Sequence, residues 1–240
     1  MKRSEINQIM KDSLRFMQKM NFYLPPFAFW SPAEWKRKGP ECREIVTQQM
    51  GWDITDFGSG DFKRIGLFLF TIRNGTISEL SKINGKVYAE KILIVQENQI
   101  TPTHFHFQKM EDIINRGGGE LVIRLWNSTP HEKLAKSNVT VSCDGVNTTV
   151  KAGGTVVLKP GASICLPSHL YHEFWGKKGA GPILVGEVSR VNDDHIDNRF
   201  YKTVGRFSTV EEDEAPLYLL YNDYKNHYAF YQSALDQSGI

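Results

Sequence analysis

The chain has 240 residues, 40% hydrophobic and 23% charged, a size and balance that suit one well-cored domain with a modest extension and exclude wholesale disorder. Its 29 basic and 27 acidic side chains leave a formal charge of +2, which gives no electrostatic case for nucleic acid or a membrane surface. Three widely spaced cysteines, Cys42, Cys143 and Cys165, form neither a CxxC pair nor a dense framework. No apolar run approaches the roughly 20 residues of a membrane helix, nor is there a signal-peptide core. A reducing, cytoplasmic compartment is the expectation.

From Ser4 to about Met20, Ile6, Ile9, Met10, Leu14 and Met17 recur at helical spacing, with Ser4 available as an N-cap. The aromatic stretch from Phe22 to Trp30, broken by Pro25 and Pro26, forbids a long helix, and Ser31-Pro32-Ala33-Glu34 predicts a new one through a capping box with proline at its first position. From about Phe62 the texture becomes β-branched and aromatic, with strands expected over 66–73, 86–96, 119–126, 139–143, 148–150, 155–158, 163–166 and 182–190. Turn pairs such as Asn74-Gly75, Asp144-Gly145 and Pro160-Gly161 separate them. So many short strands without crossover helices argue for a sandwich or barrel. Residues 191–240 begin with a polar stretch, and their acidic run Glu211, Glu212, Asp213 and Glu214 reads as a solvated loop.

The chemically informative stretch is Thr101 to Glu111. Side chains two apart on a strand share a face, so His104 and His106 can offer imidazole nitrogens to one point while Phe105 faces away. Glu111, beyond a bend, can add a carboxylate, and this ligand mixture suits first-row divalent ions such as manganese, iron, nickel or zinc. A fourth ligand should come from a strand alongside, and His172, after the turn at Pro167-Ser168-His169, is the best candidate.

These two blocks resemble the two cupin signatures, HxH followed by Glu with a glycine beyond (Gly117 or Gly118), and PxGxxH, in which His169 stands at the glycine position. The resemblance implies a mainly β fold: a cupin jelly-roll barrel with an N-terminal helical extension, as a single domain over 1–240 with the extension at 1–60, the barrel at 61–190 and a C-terminal segment at 191–240. Within cupins the chain resembles the D-lyxose isomerase family. This likeness rests on residues 104–111, on Tyr171-His172-Glu173-Phe174-Trp175-Gly176, on Gly186-Glu187-Val188-Ser189, and on Asn192-Asp193-Asp194 with Asp197-Asn198-Arg199-Phe200. It implies a metal-dependent ketol-isomerase using manganese, which interconverts D-lyxose with D-xylulose and D-mannose with D-fructose. Zinc, cobalt, nickel and iron are alternative metals. A small-molecule sugar and a second copy of the chain, as a homodimer, are the expected partners, with no nucleic acid and no membrane.

Moving a carbonyl between C1 and C2 needs a proton carrier beside both carbons. Lys109 lies between the second His and Glu111, where neighbouring cationic character should push it toward its neutral, basic form. Glu187, a lone charge in an apolar strand, is the expected partner, or else a structural carboxylate paired with Arg124 or Arg190. His169, Asp194 and Arg199 are candidates for the substrate hydroxyls, and Lys202 stands where an acidic residue is expected in the family. The aromatic segment around Trp30 either closes the barrel mouth or packs as core. Two rival readings stay open, an iron-dependent cupin dioxygenase and a non-catalytic sugar-binding cupin.

Overall fold

In a computed structural model of the chain, which describes residues 1–191 and 193–238, thirteen strands form two antiparallel sheets. In chain order these are β1 (Gly51–Thr55), β2 (Leu67–Arg73), β3 (Tyr88–Val95), β4 (Thr101–His106), β5 (Glu111–Gly118), β6 (Leu121–Asn127) and β7 (Val139–Cys143). Then follow β8 (Val146–Val150), β9 (Thr155–Leu158), β10 (Ser163–Leu166), β11 (Leu170–Gly176), β12 (Ile183–Arg190) and β13 (Asn198–Phe200). The larger sheet runs β1-β2-β3-β12-β5-β10-β7-β8 and the smaller β13-β4-β11-β6-β9. The molecule is mainly β with a helical N-terminal extension, as the cupin reading expects.

The period-2 alternation of the strands sorts their side chains between two cores. Leu67 and Leu69 of β2, Leu93 and Val95 of β3, and Ile183 and Val185 of β12 meet Ile123, Leu125 and Phe174 of the smaller sheet. The intervening Phe68, Phe70, Ile92, Ile94 and Leu184 turn outward and pack against helix α1 (Arg3–Lys19) through Ile6, Met10 and Met17. These central strands are therefore buried on both faces, which is why they read as continuous apolar runs.

The start of α1 differs from expectation. Ser4 is not its N-cap; Lys2 holds that position, and the Ser4 amide and hydroxyl both donate to Asp213, at 2.9 and 2.7 Å. The acidic run is a clamp on this helix rather than a merely solvated loop: Glu212 binds Arg3 at 2.6 Å, and Glu214 accepts from Asn7 at 2.7 Å. Arg3 also reaches Asp223 at 3.0 Å. Carboxylates at a helix N-terminus meet its unpaired amides and the positive end of its dipole, a match invisible until the two chain regions adjoin.

The capping box at Ser31 forms as predicted, with the Glu34 amide donating to Ser31 Oγ at 3.3 Å and the Ser31 amide to Glu34 Oε2 at 2.8 Å, but α2 (Pro32–Trp35) is only one turn. Trp35 ends it by inserting into a third cluster, 4.2 Å from Tyr224 by ring centroids. Short helices α3 (Arg43–Thr47), α4 (Tyr224–His227) and α5 (Tyr231–Ser238) close that cluster. Both flanks also add strands to the sheets: β1 precedes residue 61 and β13 follows residue 190. Neither was legible, since β1 is buried on both faces and β13 is three residues long. Among the described residues no helix is long and apolar enough to cross a membrane.

Candidate active site

The sheets bring the signature residues together from four strands. His104 and His106 share the inner face of β4, and antiparallel pairing sets His172 of β11 opposite His104 and Asn198 of β13 opposite His106. Glu111 opens β5 beyond the turn at 107–110, and a β-bulge with Gly117 (φ 143°) and Gly118 (φ 93°) lets that strand finish against β12. A Cβ on Gly118 would stand 2.2 Å from the Pro182 carbonyl oxygen, so a side chain there is excluded by space as well as by conformation.

One ring nitrogen from each of His104, His106 and His172 falls within 4.8 Å of the others. Nδ1 of His104 lies 2.7 Å from the Pro102 carbonyl, and Nδ1 of His172 lies 3.0 Å from the Leu170 carbonyl. A carbonyl can only accept, so both Nδ1 atoms carry a proton, which makes Nε2 the atom of each ring free to ligate a metal. Nε2 of His172 is buried without a hydrogen bond, although Glu111 Oε1 stands 3.1 Å away; the same oxygen is 3.6 Å from His106 Nε2. Burial, then the proximity of the other two rings, holds His104 well below the usual imidazole range, and burial with Lys109 lowers His106. Three imidazoles converging with a carboxylate fit a first-row divalent cation, which would satisfy the orphaned Nε2.

From Glu111 a chain of alternating charges runs along the cavity wall. Lys109 Nζ lies 2.5 Å from Glu111 Oε2 and 2.8 Å from Glu187 Oε1; Lys91 Nζ lies 3.4 Å from Glu187 and 3.7 Å from Asp194. Arg206 Nη2 continues it, 2.9 Å from Asp194 and 2.5 Å from Asp53. Burial alone would strip the charge from Lys109, but Glu111, Glu187 and Asp194 outweigh it and raise its pKa. This corrects the expectation of a neutral lysine: the carboxylates beside it, hidden in distant parts of the sequence, reverse the sign. Burial likewise opposes ionisation of Glu187 and is outweighed by Lys109 and then Lys91, which lower its pKa. Glu187 is thus paired with two lysines and not with Arg124, which binds Glu173 at 2.8 Å.

The charge chain from Glu111 as far as Arg206 lines a cavity between the sheets. His104, His106, Lys109, Glu111 and Glu187 face it at one end of the charge chain, and Lys91, Asp194 and Arg206 continue the polar wall. Phe57, Phe174 and Phe200 supply apolar surface. Lys91, Arg206 and Asp53 escaped the sequence reading, although Lys91 on β3 and Asp53 on β1 sit at inward parity with Leu93 and Leu69.

Not every candidate reaches the cavity. His169 is exposed, its ring 5.0 Å from Phe105 on the outward face of β4, because its φ of 61° turns the chain there. The left-handed φ is the reason a glycine suits that position of the signature. Arg199 pairs in register with outward-facing Phe105 and binds Glu132 instead. Lys202 is exposed on an outer groove that shares Phe57 with the cavity, and it is not among the residues lining the cavity itself. No residue before Phe57 lines the cavity, so the segment around Trp30 packs as core and does not close its mouth. Asn192 of the family-like motif lies outside the described residues.

Comparison with known proteins bears on this arrangement. The model of the D-lyxose isomerase family matches residues 1–224. A D-lyxose/D-mannose isomerase of Serratia proteamaculans is 49% identical over 225 residues, 93% of this chain and 98% of that protein. A protein of the same description from Escherichia coli O157:H7 is 46% identical over 226 residues, covering 94% and 99%. Among solved structures, the L-ribose isomerase of Cellulomonas parahominis with L-ribose superposes with a TM-score of 0.57 at 15% identity, over 88% of this chain and 98% of that one. The L-ribose isomerase of Geodermatophilus obscurus gives 0.55 at 13% over the same shares. At such identities the structural likeness shows the fold alone. The sequence relationship, extending across all of the elements that build the cavity, shows more: this chain belongs to the D-lyxose isomerase family and is a sugar isomerase.

Proposed function

We propose that the chain interconverts D-lyxose with D-xylulose, and D-mannose with D-fructose, by proton transfer through an enediolate. The observation that carries this reading is the buried Lys109–Glu187 pair, 2.8 Å apart, adjoining three converging histidines with Glu111 Oε1 3.1 Å from His172 Nε2 and 3.6 Å from His106 Nε2. Sugar oxidation or mere sugar binding has no use for such a pair. His104, His106, Glu111 and His172 would hold one divalent ion, manganese in the first instance. That ion supplies Lewis-acid neutralisation of the charge developing on the sugar's two oxygens.

The chain's own groups divide the proton work. Glu187, kept ionised by its lysines, takes the proton from C2 and returns it to C1. Lys109, kept charged by its carboxylates, faces O1 and O2 and passes the hydroxyl proton between them. Lys91, Asp194 and Arg206 line the continuing wall, where they would bind the remaining hydroxyls. His169 and Arg199, outside the cavity, have no part in this. The sugar is the small-molecule partner, a homodimer the assembly and the cytoplasm the compartment; three unpaired cysteines suit a reducing environment.

The test is incubation of manganese-loaded protein with D-lyxose, D-mannose and other aldoses, without oxygen, in deuterated water. Ketose carrying deuterium at C1 is expected. Product formed only with consumption of added oxygen would instead mark the dioxygenase, and sugar binding without any ketose would mark a non-catalytic cupin.

A further inference from the structure

The three candidate histidine ligands differ in one respect. Nδ1 of His104 and of His172 is anchored on a backbone carbonyl, whereas Nδ1 of His106 is buried with no hydrogen-bond partner. It faces Asp197 Oδ2 at 4.0 Å. Asp197 is itself 4% exposed, and it grips the turn between β4 and β5 with three successive amides. The Phe107 amide donates to its carbonyl at 3.1 Å, the Gln108 amide to Oδ1 at 2.8 Å and the Lys109 amide to Oδ2 at 3.2 Å. β13 starts at the next residue and pairs with β4 opposite His106, so the carboxylate is fixed from both sides.

We propose that Asp197 is a positioning residue that sets two groups of the site at once, the ring of His106 and the turn that carries Lys109. This rests on the reading of His106 as a metal ligand. A carboxylate oxygen has two lone pairs, so Oδ2 can serve the Lys109 amide and still accept from His106 Nδ1. Closing the 4.0 Å gap to hydrogen-bond length takes movement of about 1 Å. A proton held on Nδ1 leaves Nε2, the atom already turned toward Glu111 Oε1 at 3.6 Å, as the donor to the metal. A carboxylate behind a ligating imidazole also raises its basicity. Metal affinity and the placement of Lys109 therefore depend on one side chain.

The experiment titrates Mn²⁺ into metal-stripped full-length protein by calorimetry, comparing wild type with Asp197→Asn and Asp197→Ala. Asparagine keeps one acceptor oxygen for the turn but loses the charge behind His106 and leaves one of the two side-chain-bound amides without an acceptor. It should weaken Mn²⁺ binding about 10- to 100-fold, the scale of lost outer partners, with a modest fall in the melting temperature of the metal-free protein. Alanine should weaken Mn²⁺ binding as much and, at saturating Mn²⁺, should also lower kcat through the freed lysine turn. Independently of either variant, ¹⁵N spectra of zinc-loaded wild type should show His106 Nδ1 protonated and slow to exchange. Wild-type Mn²⁺ affinity in Asp197→Asn, or an unprotonated Nδ1 in the zinc form, overturns the assignment. Failure of wild type itself to take up a divalent ion overturns the metal reading beneath it, and that result is separable because it is read before any variant.

Discussion

Replacing Glu187 by glutamine tests the heart of the proposed chemistry. The carboxylate is 4% exposed between Lys109 at 2.8 Å and Lys91 at 3.4 Å. Glutamine keeps an oxygen for the Lys109 hydrogen bond but removes the charge, leaving the two ammonium groups to Glu111 at 2.5 Å and Asp194 at 3.7 Å. Breaking a buried ion pair costs roughly 3–5 kcal/mol, and the surviving contacts favour the lower end. For a chain of this length a loss of about 3 kcal/mol lowers Tm by roughly 6–12 °C. Turnover should fall by at least about 100-fold, or about 2.7 kcal/mol of transition-state stabilisation. The assay measures kcat on D-lyxose well below the variant's Tm, with manganese content determined on the same sample. A folded, metal-loaded Glu187→Gln enzyme within about threefold of wild-type turnover would refute the reasoning and make Glu187 a structural carboxylate only.

Three further outcomes are expected. His172→Ala and His106→Ala should each lose most bound manganese when dialysed and analysed by mass spectrometry, and full occupancy in either would remove that residue from the metal site. His169→Gly relieves a left-handed residue, worth about 1 kcal/mol, against the extra chain entropy of glycine; KM and kcat should stay within about twofold of wild type, since the ring lies outside the cavity, and a tenfold rise in KM would put it back. Burial, then the hydrogen bond and charge of Asp112, pushes the Cys165 thiol up to about 11. Its thiolate fraction at pH 8 should therefore be on the order of 100-fold below an ordinary thiol's, and iodoacetamide labelling should be slow there and quicken toward pH 11. Because this thiol's pKa is raised on folding, the stability it lends is complete below about pH 8.5 and drains away as pH rises toward 11. Equal labelling rates in native and urea-unfolded protein would contradict the shift.

Much of the site was legible because it obeys local rules. The HxH pair needs only the period of a strand, and Glu111 and His172 follow from spacing and signature. What was not legible depended on distant partners. Lys109 looked like a base in waiting because the sequence shows the ligands next to it but not Glu187, 78 positions away and 2.8 Å distant. Arg199 and Asp194 stood equally plausible in one short segment, yet the parity of β13 turns Arg199 outward while Asp194 joins Lys91 and Arg206. Ser4 looked like a cap for its own helix, and only the approach of residues 211–214 gives it Asp213 instead.

The alternating charges from Glu111 to Asp53 have an evolutionary consequence. Every interior member is shared by two neighbours of opposite sign, so no single replacement there is a local event: deleting one carboxylate costs two cations a partner each, and deleting one cation costs two carboxylates a partner each. Such positions should show strong epistasis, drifting as matched pairs or not at all, and selection for new sugars should succeed first at the apolar wall of Phe57, Phe174 and Phe200, where a change of shape leaves the ionic ladder whole.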